Sequence, residues 1–189
     1  MVDDISIASS YLDESFRTFR GYKRMADAAL AQLNDQEFFH LPDAESNNVA
    51  LIVKHMAGNL RSRWTDFLTT DGEKPDRDRD QEFVLAEGDT RQELMRRWEH
   101  SWEITLNALQ SLKPEDVSRT VYIRREPHTV LQAISRSTAH MAYHVGQIVY
   151  QGKHMRAAEW KTLSIPRGKS AEVNAKSPEE RKIKSPPRS

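Results

Sequence analysis

The chain contains no cysteine among its 189 residues. Disulfides, thiolate metal sites and cysteine nucleophiles are thereby excluded, and any transition metal has to be held by imidazole or carboxylate. Long hydrophobic runs are missing too. No stretch approaches the roughly 20 apolar residues that a membrane-spanning helix requires. The opening MVDDISIASS is acidic, where a secretion signal carries a basic region followed by an apolar core. The expected compartment is therefore the cytoplasm, without a membrane partner. Charge of one sign is also absent, since 28 Lys and Arg balance 28 Asp and Glu. Nucleic-acid binders usually carry a basic excess that neutralises phosphate, so nucleic acid is not an expected partner.

What is present is amphipathic helix. Leu12, Phe16, Phe19, Ala26, Leu30 and Leu33 recur at three- and four-residue steps and predict a first helix over about Ser10 to Asn34, with Ser10 as its N-cap. Val49, Ile52, Val53, Met56, Leu60, Trp64 and Phe67 predict a second, capped by Asn47 or Asn48 and ending near Leu68. The polar run TTDGEKPDRDRD then reads as a loop, with Asp71-Gly72 a turn and Pro75 a breaker. A third helix spans about Thr90 to Leu112, opened by a Thr90/Glu93 capping box and striped by Leu94, Trp98, Trp102, Leu106 and Leu109. The alternating, β-branched VSRTVYIRR reads as a small hairpin or extended crossover. A fourth helix follows Pro127, with Thr129 and Gln132 as its capping box, Leu131, Ile134, Thr138, Met141, Val145 and Ile148 as its core stripe, and Gly152 as its terminator. This pattern predicts an all-α fold: a four-helix bundle with a short hairpin-like crossover between helices three and four, over residues 1–167. Residues 168–189 are polar and proline-rich and read as a disordered tail.

Seven histidines occur, and two of them, His140 and His144, are spaced i, i+4 on the fourth helix. That spacing puts two imidazoles on one helix face, close enough to clamp an ion. A solvated or hydrogen-bonded pair has the same spacing. His55 lies in the apolar segment VALIVKHMAGNL at the edge of the second helix's core stripe. A buried imidazole without a partner costs about 1–3 kcal/mol. Its partner is either a carbonyl or carboxylate, or a metal shared with the helix-four pair. Three imidazoles with an open fourth position are the donor set of a catalytic rather than a structural zinc site. His40, His100, His128 and His154 read as loop, capping or surface residues.

A histidine in KHMAGNL on helix two, followed downstream by HxxxHxGQI on helix four, resembles the DinB/YfiT-like superfamily, over about residues 8 to 165. The resemblance implies that superfamily's four-helix bundle, often a homodimer. It also implies a metal triad at His55, His140 and His144 binding zinc or nickel. The expected function is that of a divalent-metal-dependent enzyme, a thiol-dependent S-transferase or a hydrolase, with a small-molecule thiol as co-substrate. The competing reading is a non-catalytic metal-binding stress or interaction module. Three further side chains stand near the triad in sequence. Asn59 lies one turn beyond His55, Gln147 three residues beyond His144, and Arg63 is placed to meet an anionic substrate group. Each of the three also fits an ordinary role, as a helix-face hydrogen-bonder or a surface cation.

Overall fold

The computed structural model describes residues 4–176. They are mostly helical, with one two-stranded sheet. Helix α1 (Asp4–Leu30) is followed by a short α2 (Asp35–Phe39), then α3 (Val49–Trp64) and α4 (Arg91–Ser111). Strands β1 (Thr120–Ile123) and β2 (Glu126–Thr129) lead into α5 (Val130–Arg156), and a five-residue α6 (Ser170–Asn174) comes last. Helix α3 packs chiefly on α4 and α1 on α5, while contacts of α1 with α4 and of α3 with α5 complete the set. No helix among the described residues is long and apolar enough to cross a membrane.

Of the four expected signals at the helix starts, two act in full, one in half and one not at all. Asn48 accepts the Leu51 N–H at 2.8 Å, and its side-chain amide donates to the Phe39 carbonyl, tying the end of α2 to the start of α3. Thr129 and Gln132 form the full reciprocal box at the start of α5. At α4 only half of the box forms: Thr90 accepts the Glu93 N–H, but the Glu93 carboxylate is taken by Arg96 and Arg97 instead. Ser10 is not a cap. Helix α1 begins at Asp4, two turns earlier, because its first turns expose Ile5 and Ile7 and so lack the apolar stripe that marks the rest. The helix also stops at Leu30, and Asn34 opens α2 through its own capping box with Glu37.

Two expectations for the last long helix are corrected. Gly152 does not end α5, which runs on to Arg156. It is glycine because Trp160 packs on it, so that a Cβ there would come within 3.1 Å of the indole ring. Leu131 is 41% exposed, and Val130 takes the buried place instead. The buried face of α5 runs through Ile134, Ser137, Met141, His144, Val145 and Ile148, so one of the histidines shares it with the core.

The core is aromatic at its centre. Phe19 meets the Trp64 and Trp102 rings edge-on, and Trp98 packs on Trp102 while donating its indole N–H to Asp27 at 2.9 Å. Each ring buries a large apolar area; the Trp64 and Trp102 indole N–H groups are buried without a partner among the described residues. The expected crossover is an antiparallel hairpin whose turn residues Arg124 and Arg125 both have positive φ, 56° and 67°. That primed turn normally takes Asn-Gly. Here the Asp71 carboxylate accepts both turn N–H groups, at 2.9 and 2.7 Å, and so holds two arginines in a left-handed conformation. Most of the expected polar tail, residues 177–189, lies outside the described residues. Of the described part, Ser170–Asn174 is helical and only Val173 is even half-buried.

Candidate metal centre

His55 stands on α3, and His140 and His144 stand one turn apart on α5. The packing of these two helices brings the three rings together. His140 Nε2 lies 3.2 Å from His55 Nε2 and 3.1 Å from His144 Nε2. Two nitrogens each 2.0–2.1 Å from one tetrahedral zinc ion would be about 3.3–3.4 Å apart, so these separations are close to a ligand set's. All three ligand atoms lie within 4.8 Å of one another.

The outer nitrogens decide which atoms face inward. His55 Nδ1 donates to Glu82 Oε2 at 2.8 Å, and His144 Nδ1 donates to Gln147 Oε1 at 2.8 Å. With Nδ1 protonated on both, their Nε2 atoms carry lone pairs, and both point at His140. A proton on His140 Nε2 can be given to only one of them. The buried Nδ1 of His140 has no partner among the described residues. Three converging lone pairs are stabilised together only by a cation, so the donor set fits a divalent metal ion of the imidazole-preferring kind. Burial, first of all, and then the neighbouring His144, His55, Arg77 and Arg63 charges push His140 down to about 3. Burial and the His55 charge push His144 down to about 4, against the opposing Gln147 bond. Both rings are therefore neutral at pH 7 and ready to act as ligands.

The surroundings of His55 come from the stretch that reads as a polar loop. A single 3-10 turn, Asp80–Phe83, folds back on α3. It stacks Phe83 on the His55 ring at 4.7 Å and buries Glu82 beside it. Arg77 clamps the other side of that carboxylate with bonds of 2.8 and 2.9 Å. Burial alone would raise the Glu82 pKa, but His55 and Arg77 outweigh it and the carboxyl stays below the usual glutamate value. Gly58 leaves the space for this arrangement, since a Cβ there would overlap Glu82 Oε1. Neither Glu82, Arg77 nor Phe83 carries a helical or strand pattern in the sequence. The one available signal is their place in an acidic-basic run between two helices.

A family model described as "Protein of unknown function (DUF1572)" matches residues 6–169. The chain belongs to the DUF1572 family. No curated protein matches it.

In this DUF1572 member the three histidines line a cavity of about 550 Å³. Asn59 and Arg63 line it too. Arg63, however, is occupied: its guanidinium bonds the Gly72 carbonyl and the Glu73 carboxylate. Gln147 is not in the lining, because its side chain is spent on orienting His144. The other histidines stay apart. His100 is exposed near Glu103, His40 ends α2, His154 stacks on Tyr150, and His128 lies on β2, where a loop or capping position was expected.

Proposed function

We propose that this protein is a DinB/YfiT-like four-helix bundle enzyme of the cytoplasm that uses one divalent metal ion, zinc or nickel, for thiol-dependent S-transfer or hydrolysis. The observation that carries the reading is the convergence of three imidazole Nε2 atoms at the wall of a cavity large enough for a small ligand. A structural zinc site is closed by four protein ligands, whereas a catalytic one keeps a position open. Among the described residues the cluster has three members, which favours the catalytic over the structural role.

When bound, the ion would serve as a Lewis acid that lowers the pKa of a thiol or water at its open position. The chain's own groups do the rest. Glu82 and Gln147 lock the His55 and His144 rings with their Nε2 lone pairs inward. Phe83 covers one face of His55 and keeps water from it. Asn59 offers an amide to the ligand from one turn beyond His55. Arg63 braces the 72–73 segment that walls the cavity. With no cysteine in the chain, the thiol comes from a co-substrate. A homodimer, common in the DinB/YfiT-like superfamily, completes the proposal.

Elemental analysis of the purified protein, repeated on His140→Ala and His144→Ala, tests the first step. About one equivalent of zinc or nickel is expected in the native protein and a small fraction of that in either variant. Equally low metal in all three would end the proposal. A panel of small thiols with electrophilic acceptors, and of hydrolysable esters and amides, then tests for turnover that a chelator abolishes.

A further inference from the structure

The cavity beside the histidines has charge of one sign on its walls. Its charged lining residues, histidine aside, are Arg63, Arg77, Arg79, Arg124 and Arg136, with no aspartate or glutamate among them. Three of these are neutralised from behind. Arg77 is clamped on Glu82, and Arg63 and Arg124 share Glu73 at 3.0 Å each. Arg79 lies over the Phe83 ring and reaches only Asp80, 3.8 Å away and 92% exposed. Arg136 has no hydrogen-bond or ion-pair partner among the described residues.

The place of Arg136 is set by α5. Positions 136, 140 and 144 follow one another at i, i+4 and i+8 and so share a helix face. At 1.5 Å per residue, Arg136 is about 6 Å along the axis from His140. Ser137, beside it in the chain, lines the same cavity, is 9% exposed, and has a buried hydroxyl without a partner. An exposed arginine by itself is ordinary. A guanidinium left free at the wall of a concave site, next to an unsatisfied hydroxyl and among other cations, lacks a counter-charge that the protein does not supply. A ligand oxyanion supplies it, and guanidinium binds carboxylate and phosphate through paired N–H donors.

We propose that the cavity takes a small ligand bearing a carboxylate or phosphate group, which Arg136 and Ser137 bind one helical turn from the His55–His140–His144 cluster where the ligand's other end reacts. This rests on the reading of that cluster as the reaction centre. It moves the anion-binding role from Arg63, which is committed to Glu73 and Gly72, to an arginine with no partner of its own.

Isothermal titration calorimetry with glutarate and with inorganic phosphate tests it, on full-length protein both chelator-treated and loaded with one equivalent of zinc. At least one anion is expected to bind the native protein in both forms. Arg136→Gln should weaken that binding about tenfold, the loss of one charge-assisted contact of about 1.4 kcal/mol, and Arg136→Lys should restore part of it. Arg17→Gln, a change at an exposed arginine outside the cavity lining, should leave it unchanged. Binding of glutarate alone assigns a carboxylate ligand, and binding of phosphate alone a phosphate ligand. No binding of either anion, or equal affinity in native protein and Arg136→Gln, overturns the proposal. Zinc content of the same samples reports separately on the histidine cluster, so a protein that binds anion without metal, or metal without anion, tells which of the two readings has failed.

Discussion

The His55 ring and the Glu82 carboxylate are joined at 2.8 Å, both almost wholly buried, across 27 residues of chain. The bond makes a loop residue the group that aims a helix residue at the metal centre. Replacing Glu82 by Gln keeps the shape and removes the charge, and replacing it by Ala removes both. Outer-shell partners of this kind are worth about 10–100-fold in metal affinity. Competition titrations against a chromophoric chelator should show a fall in that range for Glu82→Ala and a smaller one for Glu82→Gln. Affinities equal to that of the native protein would mean that His55 holds its orientation without Glu82.

Gly58 provides a subtler version of the same experiment. The carboxylate that a Cβ would strike is held by His55 and by two bonds from Arg77, so it cannot simply swing away. Gly58→Ala should improve intrinsic helix propensity by about 1 kcal/mol and yet lower zinc affinity by about tenfold through displaced Glu82. The measurement pairs a urea midpoint with a zinc titration. Unchanged zinc affinity would show that the carboxylate has room the packing does not reveal.

Asp71 is predicted to hold the hairpin turn. Its carboxylate accepts the N–H groups of Glu73, Arg124 and Arg125. Asp71→Ala leaves two left-handed arginines without their anchor and should cost about 2 kcal/mol of unfolding free energy. Because Tyr122, Ile123 and Arg124 line the cavity, hydrogen exchange at the hairpin amides should quicken at the same time. Stability within a few tenths of a kcal/mol of native would refute the anchoring role.

Acid should unfold the protein through its paired carboxylates. Burial would raise Asp89 and Asp71, but the Lys54 ammonium with the Ala86 N–H for the first, and three backbone N–H groups for the second, hold both below the ordinary 3.8. Asp116 lies below it too, chiefly through the Lys113 N–H. A carboxyl whose pKa is lower folded than unfolded binds more protons in the unfolded chain, so stability rises with pH across that interval. The contribution is complete above about pH 5 and is lost as the pH falls through 4 and below. Urea midpoints at pH 7, 5 and 3 should fall in both steps. From 7 to 5 they fall because His140 and His144, held neutral in the fold, take up protons once unfolded. From 5 to 3 they fall because these carboxylates do so as well. Midpoints equal at pH 5 and 3 would contradict the carboxylate assignments.

Most of the helical framework could be read from the chain because its causes are local. Asn48 and Thr129 cap with oxygens that meet N–H groups three residues on, and the apolar stripe of α3 is buried from Val49 to Trp64 as its period requires. Two places depart from the local pattern. Gly152 is a seat for Trp160 and not a helix end, and the first turns of α1 are helical without a buried face to announce them.

The same division runs through the site. The i, i+4 pair of His140 and His144 is a property of one helix, and the sequence alone determined that two imidazoles would share a face. It determined as well that no thiolate could join them. That His55 meets them, that Glu82 and Gln147 turn the rings inward, and that Arg136 rather than Arg63 is left without a partner were decided only by the packing of α3, the 3-10 turn and α5. Spacing along one helix is dictated by its pitch. Which charged loop side chain finds which partner depends on burial and on competing ion pairs, and these exist only once the chain has closed on itself.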